Sequence, residues 1–160
     1  MSVVQELTAA NARYVAGFSK SGLPMPPGRR LAVVTCMDAR LDPARFLGLE
    51  EGDAHVIRNA GGLVNEETVR SLVISHHLLG TQEALVIGHS DCGMLTFTND
   101  ELHERLGPES HGIDFQPFPD VAARVRRSVE TIRQSPLLPD SFGATGFVYD
   151  VESGAIEPVE

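Results

Sequence analysis

The chain is organised around one stretch, Leu31-Ala32-Val33-Val34-Thr35-Cys36-Met37-Asp38-Ala39-Arg40. Its first five residues form an apolar, β-branched run, which predicts a buried strand. A thiol, a carboxylate and a guanidinium then follow at alternate positions, as Cys36, Asp38 and Arg40. Because ligands bind at the carboxyl ends of parallel strands in open α/β sheets, this strand end is a candidate functional site.

A second apolar strand is predicted at residues 84–88, and His89-Ser90-Asp91-Cys92-Gly93 follows it directly. The two strand ends together offer two sulfurs, one imidazole nitrogen and one carboxylate oxygen, which are ligand types that a tetrahedral zinc ion accepts. Cys36 and Cys92 can instead form a disulfide, or remain inert thiols in the core. Zinc is favoured because each cysteine follows a strand and has another potential ligand at short spacing.

Length and composition are typical of one globular domain, residues 1–160. The formal net charge of −9 argues against nucleic acid or an anionic membrane as a partner, because both bind clustered Lys and Arg. No apolar run approaches the roughly 20 residues of a membrane-spanning helix. The amino terminus lacks a basic segment followed by an apolar one, so no secretory signal is predicted and a cytoplasmic location is expected.

Strand and helix patterns alternate along the chain, which predicts an α/β fold. Further strands are predicted at residues 54–59, 146–151 and 155–159. Helices are predicted after five N-cap residues, Ser2, Asp42, Asn65, Asn99 and Asp120. The leading helix, residues 1–18, carries one apolar stripe, which must pack either on its own sheet or on a second subunit.

Three segments together resemble the signature sequences of the β-class carbonic anhydrases. They are Cys36-Met37-Asp38-Ala39-Arg40, Arg58-Asn59-Ala60-Gly61-Gly62 and His89-Ser90-Asp91-Cys92-Gly93, in the family's order and at the expected strand ends. The resemblance implies a single domain with a mostly parallel central β-sheet flanked by helices. It also implies a homodimer or a dimer of dimers, in which the leading helix packs on a partner subunit.

The resemblance further implies one zinc ion per subunit, with Cys36, His89 and Cys92 as ligands. The fourth position would be taken by Asp38 or by water, and in the second case Arg40 would hold Asp38 away from the metal. Asp38 and Arg40 would then be catalytic, because the pair gates the site and orients a zinc-bound hydroxide toward carbon dioxide. The implied activity is that of a carbonate dehydratase, a zinc lyase that converts carbon dioxide reversibly to bicarbonate.

Two positions depart from the family's pattern. Ala39 stands where the family usually has Ser, and Pro26-Pro27-Gly28 stands where many members carry a Gln that binds a substrate oxygen. With its short length, the chain is similar to the short subgroup whose members hydrolyse carbonyl sulfide or carbon disulfide at a similar zinc site. Such a hydrolase is the alternative function. A non-catalytic zinc module, in which Asp38 permanently occupies the fourth metal position, is a third candidate. Such a module would have little need for Arg40 beside Asp38.

Other residues near these segments are expected to support the site. Arg58, Asn59, Gly61 and Gly62 are expected to shape the backbone beside the metal, the two glycines through positive φ or close approach. Asp91 lies between two expected ligands, and it either orients one of them or is a solvated loop carboxylate.

Overall fold

Helices and strands alternate along residues 2–160, the part of the chain that the computed structural model describes; Met1 of the predicted leading helix lies outside it. The strands are β1 (Leu31–Cys36), β2 (Ala54–Asn59), β3 (Glu83–His89), β4 (Gly143–Tyr149) and β5 (Ile156–Val159). The helices are α1 (Val3–Ala16), α2 (Pro43–Leu47), α3 (Glu66–Leu79), α4 (Asn99–Leu106) and α5 (Val121–Arg133). Within residues 2–160, none of these helices combines the length and apolar character needed to cross a membrane.

The five strands form one sheet in the order β2-β1-β3-β4-β5. Strands β1 to β4 are parallel, and β5 pairs with β4 in the antiparallel direction. The predicted α/β fold with a mostly parallel sheet is therefore confirmed. All six residues of β1 are buried, which explains its unbroken apolar sequence, because helices cover both faces of a parallel sheet.

The core has one layer on each face of this sheet. On one face, α3 and α5 bury Leu72, Val129 and Ile132 against β1 and β3. On the other face, Phe46 of α2 packs on the cluster that contains Val33 of β1. The two layers fix the central strands from both sides, so the loops at their carboxyl ends rest on a rigid support.

The two central strands are held in register close to the predicted site. Thr35 of β1 lies opposite Ile87 of β3. The Thr35 hydroxyl is fully buried and donates a hydrogen bond of 2.9 Å to the carbonyl oxygen of Ile87. The next residue along β1 is Cys36, and His89 ends β3, so this bond holds the two ligand-bearing strand ends side by side.

Most of the predicted helix caps are confirmed. The side chains of Asp42, Asn65 and Asp120 each accept a hydrogen bond from a backbone N–H in the first turn of the following helix. The prediction that Asn99 caps α4 is wrong, because Thr98 is the N-cap. Thr98 is favoured as the N-cap because Glu101 forms a reciprocal capping box with it.

The leading helix α1 forms as predicted, but it does not pack on its own sheet. Ser2 caps it and exchanges hydrogen bonds with Gln5 in a capping box. None of the residues Val3–Ala16 is buried, and Leu7 in the apolar stripe is 65% exposed. The Tyr14 hydroxyl donates to Glu51, a polar contact with the body of the chain. The apolar stripe therefore adds nothing to the core of its own chain.

Candidate active site

The three side chains expected to bind metal meet at the carboxyl edge of the sheet. Cys36 ends β1 and His89 ends the adjacent strand β3, while Cys92 follows in the turn after His89. The ligand atoms of the three residues lie within 4.8 Å of one another, and all three residues are buried. Both cysteines are free, so the disulfide alternative is wrong.

His89 presents an imidazole nitrogen that is ready to bind a cation. Its Nδ1 lies 2.9 Å from the carbonyl oxygen of Ser90, so in the neutral imidazole Nδ1 carries the proton and Nε2 carries the lone pair. This Nε2 is buried, and residues 2–160 supply it with no hydrogen-bond partner. A buried polar atom without a partner is costly, and a metal ion would satisfy it. With two sulfurs beside it, the donor set fits zinc.

The two thiols interact closely with each other. The nearby Cys92 thiol lowers the pKa of Cys36 despite burial, because it stabilises the Cys36 thiolate. The same contact raises the pKa of Cys92. Burial lowers the pKa of His89, but the Cys36 thiolate, the Ser90 carbonyl and the Asp38 carboxylate together raise that pKa by more. The group therefore holds one thiolate readily, and a divalent cation would favour loss of the second thiol proton.

Asp38 lies beside the three ligand atoms and is held by Arg40. Arg40 donates from Nε to Oδ1 at 3.0 Å and from Nη2 to Oδ2 at 2.8 Å. These hydrogen bonds hold the pKa of Asp38 well below its usual range. The Oδ2 atom of Asp38 lies 3.8 Å from Nε2 of His89. Asp38 is thus next to the candidate metal centre, while both of its oxygens are engaged by one guanidinium.

Arg40 also contacts Asp91, a pairing that the sequence did not predict. Its Nη1 donates to the Asp91 carboxylate at 2.7 Å, and its Nη2 donates to the Asp91 carbonyl oxygen at 2.9 Å. Asp91 is thus a loop carboxylate with a side chain that is 74% exposed, as one of the two alternatives predicted, and it also contacts Arg40. The two residues are 51 positions apart, so no local sequence pattern links them.

The segment after β2 supports the strand end that carries Cys36, as expected. Arg58 donates to the carbonyl oxygens of Cys36 and Asp38, at 3.0 and 2.7 Å. The backbone N–H of Gly61 donates to the Cys36 sulfur at 3.4 Å. Gly62 has a φ of +61°, and a Cβ there would lie 2.9 Å from the backbone nitrogen of Cys36. Glycine is needed at this position because a side chain would displace the strand end.

An open cavity of about 440 Å³ gives access to these groups. Most of its lining is apolar, with polar character supplied by the sulfurs and by Asp38. The lining residues are Cys36, Met37, Asp38, Ala39, Ala60, Gly61, Cys92, Gly93 and Met94. The cavity therefore suits a small, uncharged molecule, which can reach the metal-ligating atoms through a mostly apolar lining.

Comparison with known proteins identifies the family. Residues 31–114 match the carbonic anhydrase family. The chain is also 45% identical to β-carbonic anhydrase 1 of Mycobacterium tuberculosis, over 99% of this chain and 99% of that protein. The chain belongs to the β-carbonic anhydrase family. β-Carbonic anhydrases are zinc enzymes, and the Cys36, His89 and Cys92 group fits the predicted zinc cofactor.

Solved structures and further relatives agree with this β-carbonic anhydrase assignment. The carbonic anhydrase of Streptococcus mutans superposes with a TM-score of 0.92 at 43% identity, covering 100% of this chain and 99% of that one. The carbonic anhydrase of Glaciozyma antarctica gives a TM-score of 0.91 at 46% identity, with both chains fully covered. A carbon disulfide hydrolase of Acidianus sp. is 34% identical, over 81% of this chain and 76% of that protein.

Proposed function

We propose that this chain catalyses the reversible hydration of carbon dioxide to bicarbonate, with Cys36, His89 and Cys92 as the ligands of one zinc ion. One observation carries the proposal: three metal-ligating atoms converge within 4.8 Å, beside a carboxylate whose two oxygens both accept hydrogen bonds from Arg40. The name of the 45% identical relative, β-carbonic anhydrase 1, supports the same activity.

The charges of the proposed ligands suit this chemistry. When bound, zinc lowers the pKa of a coordinated water from about 15.7 to near 7 and so supplies hydroxide at neutral pH. The Cys36 and Cys92 thiolates, with a neutral His89, balance the charge of a divalent cation and leave a fourth position for water. Asp38 as a fourth ligand would add negative charge and occupy that position. By engaging both carboxylate oxygens, Arg40 keeps Asp38 away from it.

We assign Asp38 a second role, which is to orient the attacking oxygen. Arg40 keeps the pKa of Asp38 low, so Asp38 is ionised at neutral pH and can only accept hydrogen bonds. An O–H group entering the site donates to Asp38, and its lone pair is then directed toward the apolar part of the cavity. Carbon dioxide fits this apolar space because it is small and uncharged.

Metal analysis combined with a carbon dioxide hydration assay tests the proposal. We expect one zinc per chain, rapid hydration by the purified protein, loss of activity with a chelator, and recovery when zinc is returned. A zinc-loaded protein that does not accelerate hydration at any pH from mildly acidic to alkaline would contradict the proposed activity.

Hydrolysis of carbon disulfide or carbonyl sulfide at the same site is the second candidate. It is supported by the carbon disulfide hydrolase that is 34% identical to this chain, and by the apolar cavity that contains Ala39. Sulfide release from each of these gases, compared with carbon dioxide hydration under the same conditions, separates the two activities. A zinc-loaded protein that is inactive with all three gases would favour the non-catalytic zinc module.

We also propose that the working unit is a homodimer or a dimer of dimers, with α1 packed on the partner subunit. The support is the apolar stripe of α1, where Val3, Val4 and Leu7 are 69%, 71% and 65% exposed. Burying one such side chain contributes about 1.5–3 kcal/mol. Sedimentation equilibrium measures this association directly, and a protein that stays monomeric at high concentration would contradict the proposal.

A cytoplasmic location is part of the same proposal. Cys36 and Cys92 must remain reduced to bind zinc, and the cytoplasm keeps thiols reduced. Cell fractionation followed by detection of the chain tests this location. Recovery of the protein in an extracytoplasmic fraction would contradict it.

A further inference from the structure

We propose that Asp91 is a positioning residue that holds Arg40, so that the guanidinium keeps both oxygens of Asp38. This role rests on the proposed function of the Asp38 and Arg40 pair, and it adds a residue from the other ligand-bearing turn. Asp91 does not contact the reacting atoms in this proposal, since it acts through Arg40.

The argument begins with what the contact between Asp38 and Arg40 leaves undetermined. The ion pair, together with the Arg40 backbone N–H that donates to Oδ1 of Asp38 at 2.9 Å, fixes the carboxylate relative to the turn after β1, but not relative to the turn that carries Cys92. Arg40 is 47% exposed in its side chain and has several rotatable bonds, so the pair needs a second attachment to stay in place.

Asp91 supplies that attachment with two different atoms. Its carboxylate accepts from Nη1 of Arg40 at 2.7 Å, and its carbonyl oxygen accepts from Nη2 at 2.9 Å. With Nε and Nη2 also donating to Asp38, all three guanidinium nitrogens are engaged, which fixes the plane of the group. The turn after β3 is thereby tied to the turn after β1.

The backbone of Asp91 is shaped for this contact. Its φ is +52°, in the left-handed region, which L-residues other than Asn and Asp rarely adopt. The preceding residue fastens the turn to the end of β4, because Ser90 donates from its N–H to the Tyr149 carbonyl oxygen and accepts at Oγ from the Val151 N–H. Asp91 therefore presents its two acceptors from a turn that is itself fixed.

The exposure of Asp91 argues against a role in fold stability. Its side chain is 74% exposed, and exposed ion pairs contribute little to the free energy of unfolding. Loss of the carboxylate should therefore leave the fold intact and affect the site alone. Activity and stability consequently respond differently to the same substitution, which makes the role testable.

The first measurement compares variants of the zinc-loaded protein. Asp91→Ala is expected to lower kcat/KM about tenfold, with zinc content and Tm unchanged, as is usual when a residue supporting a metal site is removed. Asp91→Asn should lose less, because its amide oxygen still accepts from Nη1. Asp91→Gly adopts the left-handed φ without strain and keeps the backbone carbonyl that accepts from Nη2. If it lowers kcat/KM as much as Asp91→Ala does, the loss is due to the missing carboxylate and not to backbone strain.

Glu67→Ala is the matched control. Glu67 is also an exposed carboxylate, 75% accessible in its side chain, and it is paired with Arg70 at 2.8 Å on the surface of α3. Its removal deletes a similar exposed ion pair in which neither Asp38 nor Arg40 takes part. We expect kcat/KM to remain at the wild-type value.

The second measurement follows Arg40 directly and does not depend on turnover. In ¹⁵N-labelled protein, the Nε–H signal of Arg40 is assigned by its loss in Arg40→Lys, and its exchange with water is measured. Asp91→Ala should accelerate this exchange, because Arg40 then has fewer contacts that fix its guanidinium, whereas Glu67→Ala should not change it. Unchanged Nε–H exchange in Asp91→Ala would overturn the inference, as would wild-type kcat/KM in that variant or full activity in Asp91→Gly. If the wild type hydrates no gas, the proposed function fails, while the exchange measurement still decides the role of Asp91.

Discussion

The sheet edge that carries Cys36 and His89 and the leading helix α1 are both incomplete within one chain, but in different ways. At the sheet edge, the three ligand side chains are buried, and one buried polar atom, Nε2 of His89, has no hydrogen-bond partner within residues 2–160. On α1, the polar ends are satisfied by the capping box, and the apolar stripe is exposed. The first region needs a cation, and the second needs another apolar surface. The kind of group left unsatisfied thus indicates the kind of partner.

Removing a sulfur from the sheet edge should have the largest effect. Cys92→Ser replaces a thiolate ligand with a hydroxyl that stays protonated at neutral pH, so stoichiometric zinc and all hydration activity should be lost. Metal analysis and the hydration assay measure both losses, and circular dichroism checks that the fold remains. A variant that keeps one zinc per chain would show that Cys92 is not a ligand.

Removing the guanidinium should abolish activity while zinc stays bound. In Arg40→Ala, only the backbone N–H of residue 40 still donates to Oδ1 of Asp38, and the guanidinium no longer holds Oδ2, so the carboxylate is free to take the fourth metal position and close the site. Arg40→Lys serves as the control, because an ammonium keeps the charge but cannot engage both oxygens, and we expect it to restore activity only in part. Zinc content and hydration rate are measured together. Near-normal turnover in Arg40→Ala would contradict the proposed gate.

A charge in the apolar stripe of α1 should weaken association without changing the metal site. Leu7→Asp removes about 2 kcal/mol of apolar burial from each subunit. Because a dimer loses this contribution twice, its affinity should fall by several hundredfold, on the order of 4 kcal/mol. Ala9→Asp is the control, because two positions along a helix point to nearly opposite faces. Sedimentation equilibrium compares the two variants. If both associate equally, the stripe is not the contact surface.

The smallest expected effect concerns the polar contacts of the α1 region with the body of the chain. Glu51 accepts from the Tyr14 hydroxyl and pairs with Lys20 at 3.0 Å, and the hydrogen bond from Lys20 lowers the pKa of Glu51. These contacts therefore hold α1 against the body of the chain fully at pH values above the ordinary glutamate pKa of about 4.3. They are lost as the pH falls through the lowered pKa of Glu51.

Hydrogen exchange of the α1 amides measures this effect. Glu51→Gln should accelerate exchange slightly at neutral pH, since exposed ion pairs are weak, and the difference from wild type should vanish in acid. Glu50→Gln is the control, because Glu50 lies 4.0 Å from Lys20. An equal effect of Glu50→Gln, or a difference that persists in acid, would contradict this account.

The ligand set could be predicted because each half of it is local. Cys36 and Asp38 follow one strand within two residues, and His89 and Cys92 follow another within a single turn. The topology of a parallel sheet then brings the two strand ends together without further information. The contact between Arg40 and Asp91 could not be predicted, because it depends on a left-handed turn and on side-chain directions that tertiary packing determines.

Helix positions were predictable to the extent that caps are local. Thr98 and Asn99 are both good N-cap residues, and only the reciprocal bonds with Glu101 decide between them. For α1, the sequence predicted the helix and its apolar stripe but left its packing partner open. The structure removes one of the two options, because the helix does not lie on its own sheet.

The buried bond between Thr35 and Ile87 has a consequence for how freely this chain can change length. A slip of β1 by one residue would displace Cys36 by about 3.3 Å and turn it to the opposite face, whereas metal–ligand distances tolerate about 0.2 Å. Slipping would also leave the Thr35 hydroxyl buried without an acceptor, which is a further penalty. An insertion within β1 is therefore expected to disrupt the metal centre, because it would move Cys36 relative to His89 and Cys92.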